Sequence, residues 1–147
     1  MRKATVPLSF PTRVMTPPAE RRLLQLVVVL ACLVPLLAGG SGVLRGAAFI
    51  KGVGPAPPVD LDSHFRYLSG LLLGLGLAFL SCVPAIERRT LLFRTLGLIA
   101  VIGGLARLLG LLERGMPSAG HVFGLFMELG TVPLLILWQA RVARRAR

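Results

Sequence analysis

Long apolar runs alternate with short polar segments along this chain. Four runs, made mostly of Leu, Val, Ala and Gly, cover about residues 23–43, 63–84, 91–112 and 119–140. At a helical rise of about 1.5 Å per residue, each run is long enough to cross the roughly 30 Å hydrocarbon core of a membrane. The pattern therefore predicts an all-α protein, an integral membrane four-helix bundle with antiparallel up-down topology.

The polar segments set the predicted domain limits. Prolines and basic residues dominate the first part of the chain, so residues 1–20 are predicted to be a disordered cytoplasmic tail. Residues 21–141 are predicted to form one four-span membrane domain, and residues 142–147 a basic cytoplasmic tail. The longest loop is predicted between the first two helices, where proline and glycine cluster.

Small residues recur at every fourth position of the second run, at Gly70, Gly74, Ala78 and Cys82. Small residues at this spacing let membrane helices approach each other closely. We therefore predict that this side of the second helix faces the inside of the bundle. The start of the same helix is polar, and a side-chain oxygen is predicted to cap it, from Asp60, Asp62 or Ser63.

Composition and charge support a membrane class and indicate an orientation. With 54% hydrophobic residues and a mean hydropathy of +0.77, the chain is too apolar for an ordinary soluble domain. Of its 17 basic residues, 12 lie in or within a few residues of the N-terminal tail, the turn at residues 86–90 and the C-terminal tail, which share one side of the predicted bundle. That side is predicted to be cytoplasmic, with both termini inside, in a bacterial plasma (inner) membrane. The charges form no basic face interleaved with aromatic residues, so nucleic acid is not an expected partner.

Two charged residues interrupt the apolar runs. Arg107 is predicted to lie roughly 8 Å below the outer surface and Glu128 roughly 14 Å below it. The two side chains can meet if the third and fourth helices are antiparallel neighbours. Pairing is physically favoured, because an isolated charge near the bilayer centre costs roughly 2.5–3.5 kcal/mol.

The polar start of the second helix is predicted to lie above this pair, at the mouth of an outward-facing pocket. The candidate ligand-binding residues are Arg66, Arg107, Glu128, His64, Asp62 and His121. A structural interpretation stays open beside this one. In it, Arg107 extends to the outer headgroups, Glu128 fixes the helix register, and Arg66 pairs with Asp62 one turn earlier.

No catalytic motif is recognisable, and we predict no catalytic residues, metal site or cofactor. The two cysteines and two histidines have no metal-ligand spacing. Our first hypothesis is a non-enzymatic protein that binds a small or lipidic ligand, or a partner helix, in the outward-facing pocket. The alternatives are a transporter or proton relay that uses Glu128, and a membrane enzyme that acts on lipid. Membrane lipids, a small molecule, a helical protein and a second copy of the chain are the partners considered.

Three stretches resemble a known family: Asp62–Gly70 (DSHFRYLSG), Phe93-Arg94, and Ile102–Leu108 (IGGLARL). The chain resembles, over about residues 22–142, the small four-helix bacterial membrane proteins catalogued as domain of unknown function 4345. The resemblance implies a four-span membrane fold and no established activity. A looser likeness is to DoxX-type four-helix membrane proteins. That likeness implies a role in redox or stress pathways, for which this chain has no cysteine or cofactor motif.

Overall fold

A computed structural model describes residues 17–50 and 52–146, and this part of the chain is helical without strands. The five α-helices are α1 (Pro17–Arg45), α2 (Val59–Cys82), α3 (Thr90–Arg114), α4 (Ala119–Phe126) and α5 (Val132–Arg145). Short 3₁₀ turns follow α1 and α2, at Gly46–Phe49 and Val83–Ala85. A π-helical turn, Met127–Thr131, joins α4 to α5. The all-α architecture is as predicted.

Four helical segments are long and apolar enough to cross a membrane. They cover Pro18–Ala48, Val59–Ala85, Thr90–Arg114 and Ala119–Arg145. Most of their surface is apolar and outward-facing, and large leucines stay exposed on every span. Exposed leucine costs nothing when the surrounding solvent is lipid. The chain is thus a multi-pass membrane protein with four candidate membrane-spanning helices.

The first and last helices of the chain, α1 and α5, extend beyond the apolar runs from which they were predicted. Residues 1–16 of the predicted tail lie outside the described residues, but residues 17–20 form the first turn of α1. At the other terminus α5 continues to Arg145, where a basic tail was predicted. The two extensions hold each other, because the Glu20 carboxylate lies 2.6 Å from Arg145 Nη1 and 3.1 Å from Arg141 Nε. Such a contact between chain ends is not visible in a hydropathy pattern.

All four spans meet at the end of the bundle where α1 begins, where α5 ends and where the turn at residues 83–89 lies, called here the basic end. The apolar core there joins residues from every span, including Leu24, Cys82, Phe93 and Leu135. Phe93 is buried and packs edge-on against Phe79, with ring centroids 5.2 Å apart. The core therefore lies in one half of the molecule.

At the opposite end, called here the far end, the spans separate into two hairpins. There α1 packs along α2, while α4 and the π turn pack only against α3 and the start of α5. Within the described residues, neither α4 nor the π turn contacts α1 or α2. The polar groups at the far end are therefore divided between two helix pairs.

The prediction for the small residues of α2 is wrong for its first half. Gly70 and Gly74 are exposed, and a Cβ added to either would meet nothing within 4 Å. The close approach is made instead by α1, where a Cβ on Gly39 would lie 2.6 Å from the backbone nitrogen of Leu73. The glycine in this contact belongs to α1, and the side of α2 that faces it carries Ser69 and Leu73.

Candidate functional site

Arg107 and Glu128 form a two-pronged ion pair between α3 and the π turn. Arg107 Nε donates to Glu128 Oε2 at 3.0 Å, and Arg107 Nη2 donates to Oε1 at 3.2 Å. This parallel geometry is the strongest arrangement for a guanidinium and a carboxylate. The predicted meeting of the two side chains is confirmed.

Glycines provide the room for the pair. A Cβ on Gly104, one turn before Arg107, would lie 2.8 Å from the Glu128 Cβ. A Cβ on Gly124, one turn before Glu128, would lie 3.5 Å from the Arg107 guanidinium carbon. The two backbones therefore come close enough at Gly104 for the side chains to lie along the interface.

Glu128 belongs to the π-helical turn, which adds one residue to the ordinary α-helical repeat. Pro133 is the second residue after this turn and has no N–H with which to continue the α-helical pattern to the carbonyl of Leu129. The proline is a local reason for the irregular turn here. A π turn changes the angular position of the side chains around it, and such turns occur often at functional sites.

The pair is neither fully buried nor fully satisfied. The Arg107 side chain is 30% exposed and that of Glu128 19% exposed. Arg107 Nη1 makes no hydrogen bond to any of the residues described. A partly exposed charged pair with spare donors thus interrupts an otherwise apolar helix pair.

Asp62 and Arg66 form a second ion pair, on the other hairpin. Asp62 Oδ2 accepts from Arg66 Nε at 2.7 Å, which confirms the pairing one helical turn apart. Asp62 Oδ1 accepts from the backbone N–H of Ala47 at 2.7 Å, and Arg66 Nη1 donates to the carbonyl of Val43 at 2.6 Å. This cluster, called here the clasp, ties the end of α1 to the start of α2.

The structure corrects two expectations about the start of α2. The helix starts at Val59 after Pro58, and no side chain makes a capping hydrogen bond, so the predicted cap is wrong. Asp62 is used by the clasp instead. In the part of the chain described, no hydrogen bond or ion pair connects the clasp to Arg107 or Glu128. The residues predicted to share one pocket thus lie in two clusters.

The two histidines lie at exposed positions near the far end. His121 Nδ1 is 2.9 Å from Ser118 Oγ, within the turn that starts α4. His64 is exposed on the first turns of α2. Across residues 17–50 and 52–146, no group of three or more His, Cys, Asp or Glu side chains could hold a metal ion.

The sequence interpretation missed a polar network at the basic end. Gln139 is fully buried, and its Nε2 donates to the carbonyl of Ile86 at 2.8 Å and to Thr90 Oγ1 at 2.9 Å. Gln25 Nε2 donates to the carbonyl of Val83 at 2.7 Å. The sequence does contain a signal for this network, because a single glutamine lies near one end of each of two apolar runs. Gln25 is near the start of the first run and Gln139 is near the end of the fourth. These contacts hold α1 and α5 to the turn between α2 and α3.

Two cavities also lie at the basic end, away from the predicted outward-facing pocket. The larger has a volume of about 590 Å³ and lies between the start of α3 and the end of α5. The smaller, about 180 Å³, lies between the start of α1 and the end of α5. Neither of these two cavities is lined by Arg107 or Glu128.

A family match covers most of the chain. The family described as Domain of unknown function (DUF4345) matches residues 23–139, a range that contains the second and third spans, most of the first and fourth, the clasp and the Arg107–Glu128 pair. The chain belongs to this family. No curated protein and no solved structure matches the chain significantly. The DUF4345 match supplies no activity, and the looser DoxX likeness stays an expectation.

Proposed function

We propose that this DUF4345 protein is a non-enzymatic membrane protein that binds a small or lipidic ligand at the Arg107–Glu128 pair. The observation that carries the proposal is the partial exposure of this pair, 30% and 19%, on apolar helices. A charge in lipid is costly, so a pair serving only to join two helices would be most stable when fully enclosed.

The chemistry of the pair favours a ligand with an acceptor oxygen and an apolar body. Arg107 is held in place by Glu128 through two nitrogens, which leaves its remaining N–H groups to donate. Exposed Phe123 and Phe126 on the same hairpin offer apolar contact. A lipid headgroup, a carboxylate or a carbonyl compound would satisfy both requirements.

We also propose that the basic end faces the cytoplasm of a bacterium, across the inner membrane. The support is the arginine distribution, since most basic residues lie at that end of the bundle. The Arg107–Glu128 pair then lies in the outer half of the membrane. Reporter fusions after residues 54, 88 and 116 test this orientation, and a cytoplasmic signal at residue 54 would contradict it.

The ligand proposal is tested by native mass spectrometry of protein purified in a mild detergent. We expect the wild type to retain a small-molecule or lipid adduct that Arg107→Gln loses. Arg114→Gln is the matched control, because Arg114 is an exposed arginine two turns further along the same helix. The same adducts in all three proteins, or no adduct in any, would contradict ligand binding at this pair.

Glu128→Gln separates binding from a proton relay. In liposomes with a pH-sensitive dye inside, a relay would lose its pH-dependent flux in this variant while the wild type keeps it. We expect the same background flux in both proteins. An enzyme acting on lipid would instead show turnover that disappears on substitution of Arg107 or His64.

A further inference from the structure

The 590 Å³ cavity at the basic end is large enough for a small molecule or a lipid headgroup. Its charged lining comes from Glu87, Arg88 and Arg94. Glu87 is already engaged, because its carboxylate lies 3.0 Å from Arg21 Nε. Two arginines against one engaged carboxylate leave the cavity with an excess of positive charge.

Neither arginine of the cavity is committed to another partner. Arg88 Nε is 4.0 Å from Glu87 Oε1, at the outer limit of an ion pair, and its side chain is 86% exposed. Arg94 forms no ion pair with any residue in the described ranges. By contrast, Arg141 and Arg145 at the same end are both held by Glu20. Arg88 and Arg94 are thus available to an anion from outside the chain.

The start of α3 adds further donors to the same cavity. Its first internal hydrogen bond is from the N–H of Phe93 to the carbonyl of Arg89, so the N–H groups of Thr90 and Leu91 have no helical partner. No side chain caps them, and the first turn has no acidic residue. Thr90 and Leu91 both line the cavity. The start of this 25-residue helix, the end that carries the partial positive charge of the helix dipole, therefore borders the cavity.

The remaining walls are apolar. Leu91 is 82% exposed, and Ala143 and Ala146 of α5 complete the lining. An apolar residue this exposed beside a cationic cavity suits a molecule with an anionic head and an acyl chain. We propose that this cavity binds the phosphate group of an anionic phospholipid, with Arg88, Arg94 and the start of α3 contacting the phosphate and Leu91 contacting the chain.

Trp138 makes the proposal measurable, because it is the only tryptophan of the chain. It precedes Ala143 by five residues on α5, which places it about 7.5 Å deeper along the helix. Bromine atoms on the acyl chain of a lipid whose phosphate occupies the cavity would lie at a comparable depth. Quenching of Trp138 fluorescence by brominated phosphatidylglycerol, compared with brominated phosphatidylcholine, therefore reports the lipid preference of this site in reconstituted protein.

We expect the wild type to prefer phosphatidylglycerol about 25-fold, and Arg88→Gln/Arg94→Gln, at about fivefold per arginine, to lose nearly all of this preference. Arg22→Gln/Arg144→Gln is the matched control: it removes two exposed arginines from the same end, and neither lines either cavity. It should keep the preference. Ala146→Leu changes no charge but occupies the cavity, and it should also lower the preference.

A second arm distinguishes a lipid phosphate from a soluble one. Protein in phosphatidylcholine vesicles is melted with and without inorganic phosphate at constant ionic strength. A higher melting temperature in the wild type and the Arg22/Arg144 control, but not in Arg88→Gln/Arg94→Gln, would support the same site with a soluble phosphate compound as ligand. No lipid preference and no phosphate effect would overturn the proposal. Equal losses in the two double variants would also overturn it, since they indicate diffuse attraction to the basic end.

Discussion

The clasp and the Arg107–Glu128 pair use the same chemistry at the same end of the molecule, yet they differ in the polar atoms that remain unpaired. The clasp joins residues one helical turn apart, and its spare polar atoms bind the backbone of α1. The Arg107–Glu128 pair joins two helices and leaves arginine donors unused at a partly exposed position. What distinguishes a structural ion pair from a candidate site is thus the set of polar atoms left over after pairing.

The largest expected effect comes from Glu128→Gln, which leaves Arg107 charged without a counter-charge. We expect a loss of about 3 kcal/mol, below the upper range for enclosed pairs because both side chains are partly exposed. Unfolding in mixed detergent micelles measures it. The double variant Arg107→Gln/Glu128→Gln should recover part of the loss. A single variant as stable as the wild type would show that the pair carries little structural energy.

The next largest loss of stability is expected at Gly104, the glycine that contacts the Glu128 side chain. Gly104→Ala brings a methyl group against the Cβ of Glu128 and the side chain of Leu129, so α3 and the π turn must separate. We expect a loss of about 2 kcal/mol from overpacking. Gly103→Ala is the control, because a Cβ there meets nothing within 4 Å. Equal melting temperatures for the two variants would show that the helices do not approach closely at Gly104.

Substitution of Gly46 tests how much the clasp contributes to stability. Gly46 has a φ of +63°, and an added Cβ would meet both Asp62 and Arg66. We expect Gly46→Ala to cost about 1.5 kcal/mol, from backbone strain together with displacement of the two side chains. Gly54→Ala controls for strain alone, since Gly54 has a φ of +84° and open space around it. If both variants melt at the same temperature, contact with the clasp contributes nothing.

The smallest effect is expected for Arg66→Gln. The Arg66 side chain is 43% exposed, and exposed ion pairs contribute little because water and salt screen them. We expect the smallest drop in melting temperature of these single variants and no change in the adducts retained by native mass spectrometry. Loss of the adduct with the fold intact would show that the clasp takes part in ligand binding, and the two clusters would then belong to one site.

Several features followed from local sequence alone. The four helices and their order came from apolar runs of membrane-spanning length. The ion pair between Asp62 and Arg66 came from their spacing of four residues. That Arg107 and Glu128 could meet came from predicted depths only about 6 Å apart, within the reach of an arginine, on adjacent antiparallel helices. These predictions hold because depth in the membrane and position within one helix are both set by residue number.

Other features could not be derived this way. A count of small residues does not say which of two helices supplies the close approach, and here α1 does so through Gly39. Nor does depth reveal lateral distance, so Arg66 and Arg107 were predicted to share one pocket. The 590 Å³ cavity is likewise a product of packing, formed where the ends of α3 and α5 leave space beside each other.

The sequence by itself determined the membrane class, the four helices and the position of each charged residue along its helix, because apolar length and helical rise depend only on the order of residues. The tertiary structure decided which charges are neighbours and which polar atoms remain unused. Those outcomes depend on how the helices rotate and separate. In this protein the two hairpins join at the basic end and divide at the far end, so the clasp and the Arg107–Glu128 pair belong to different helix pairs.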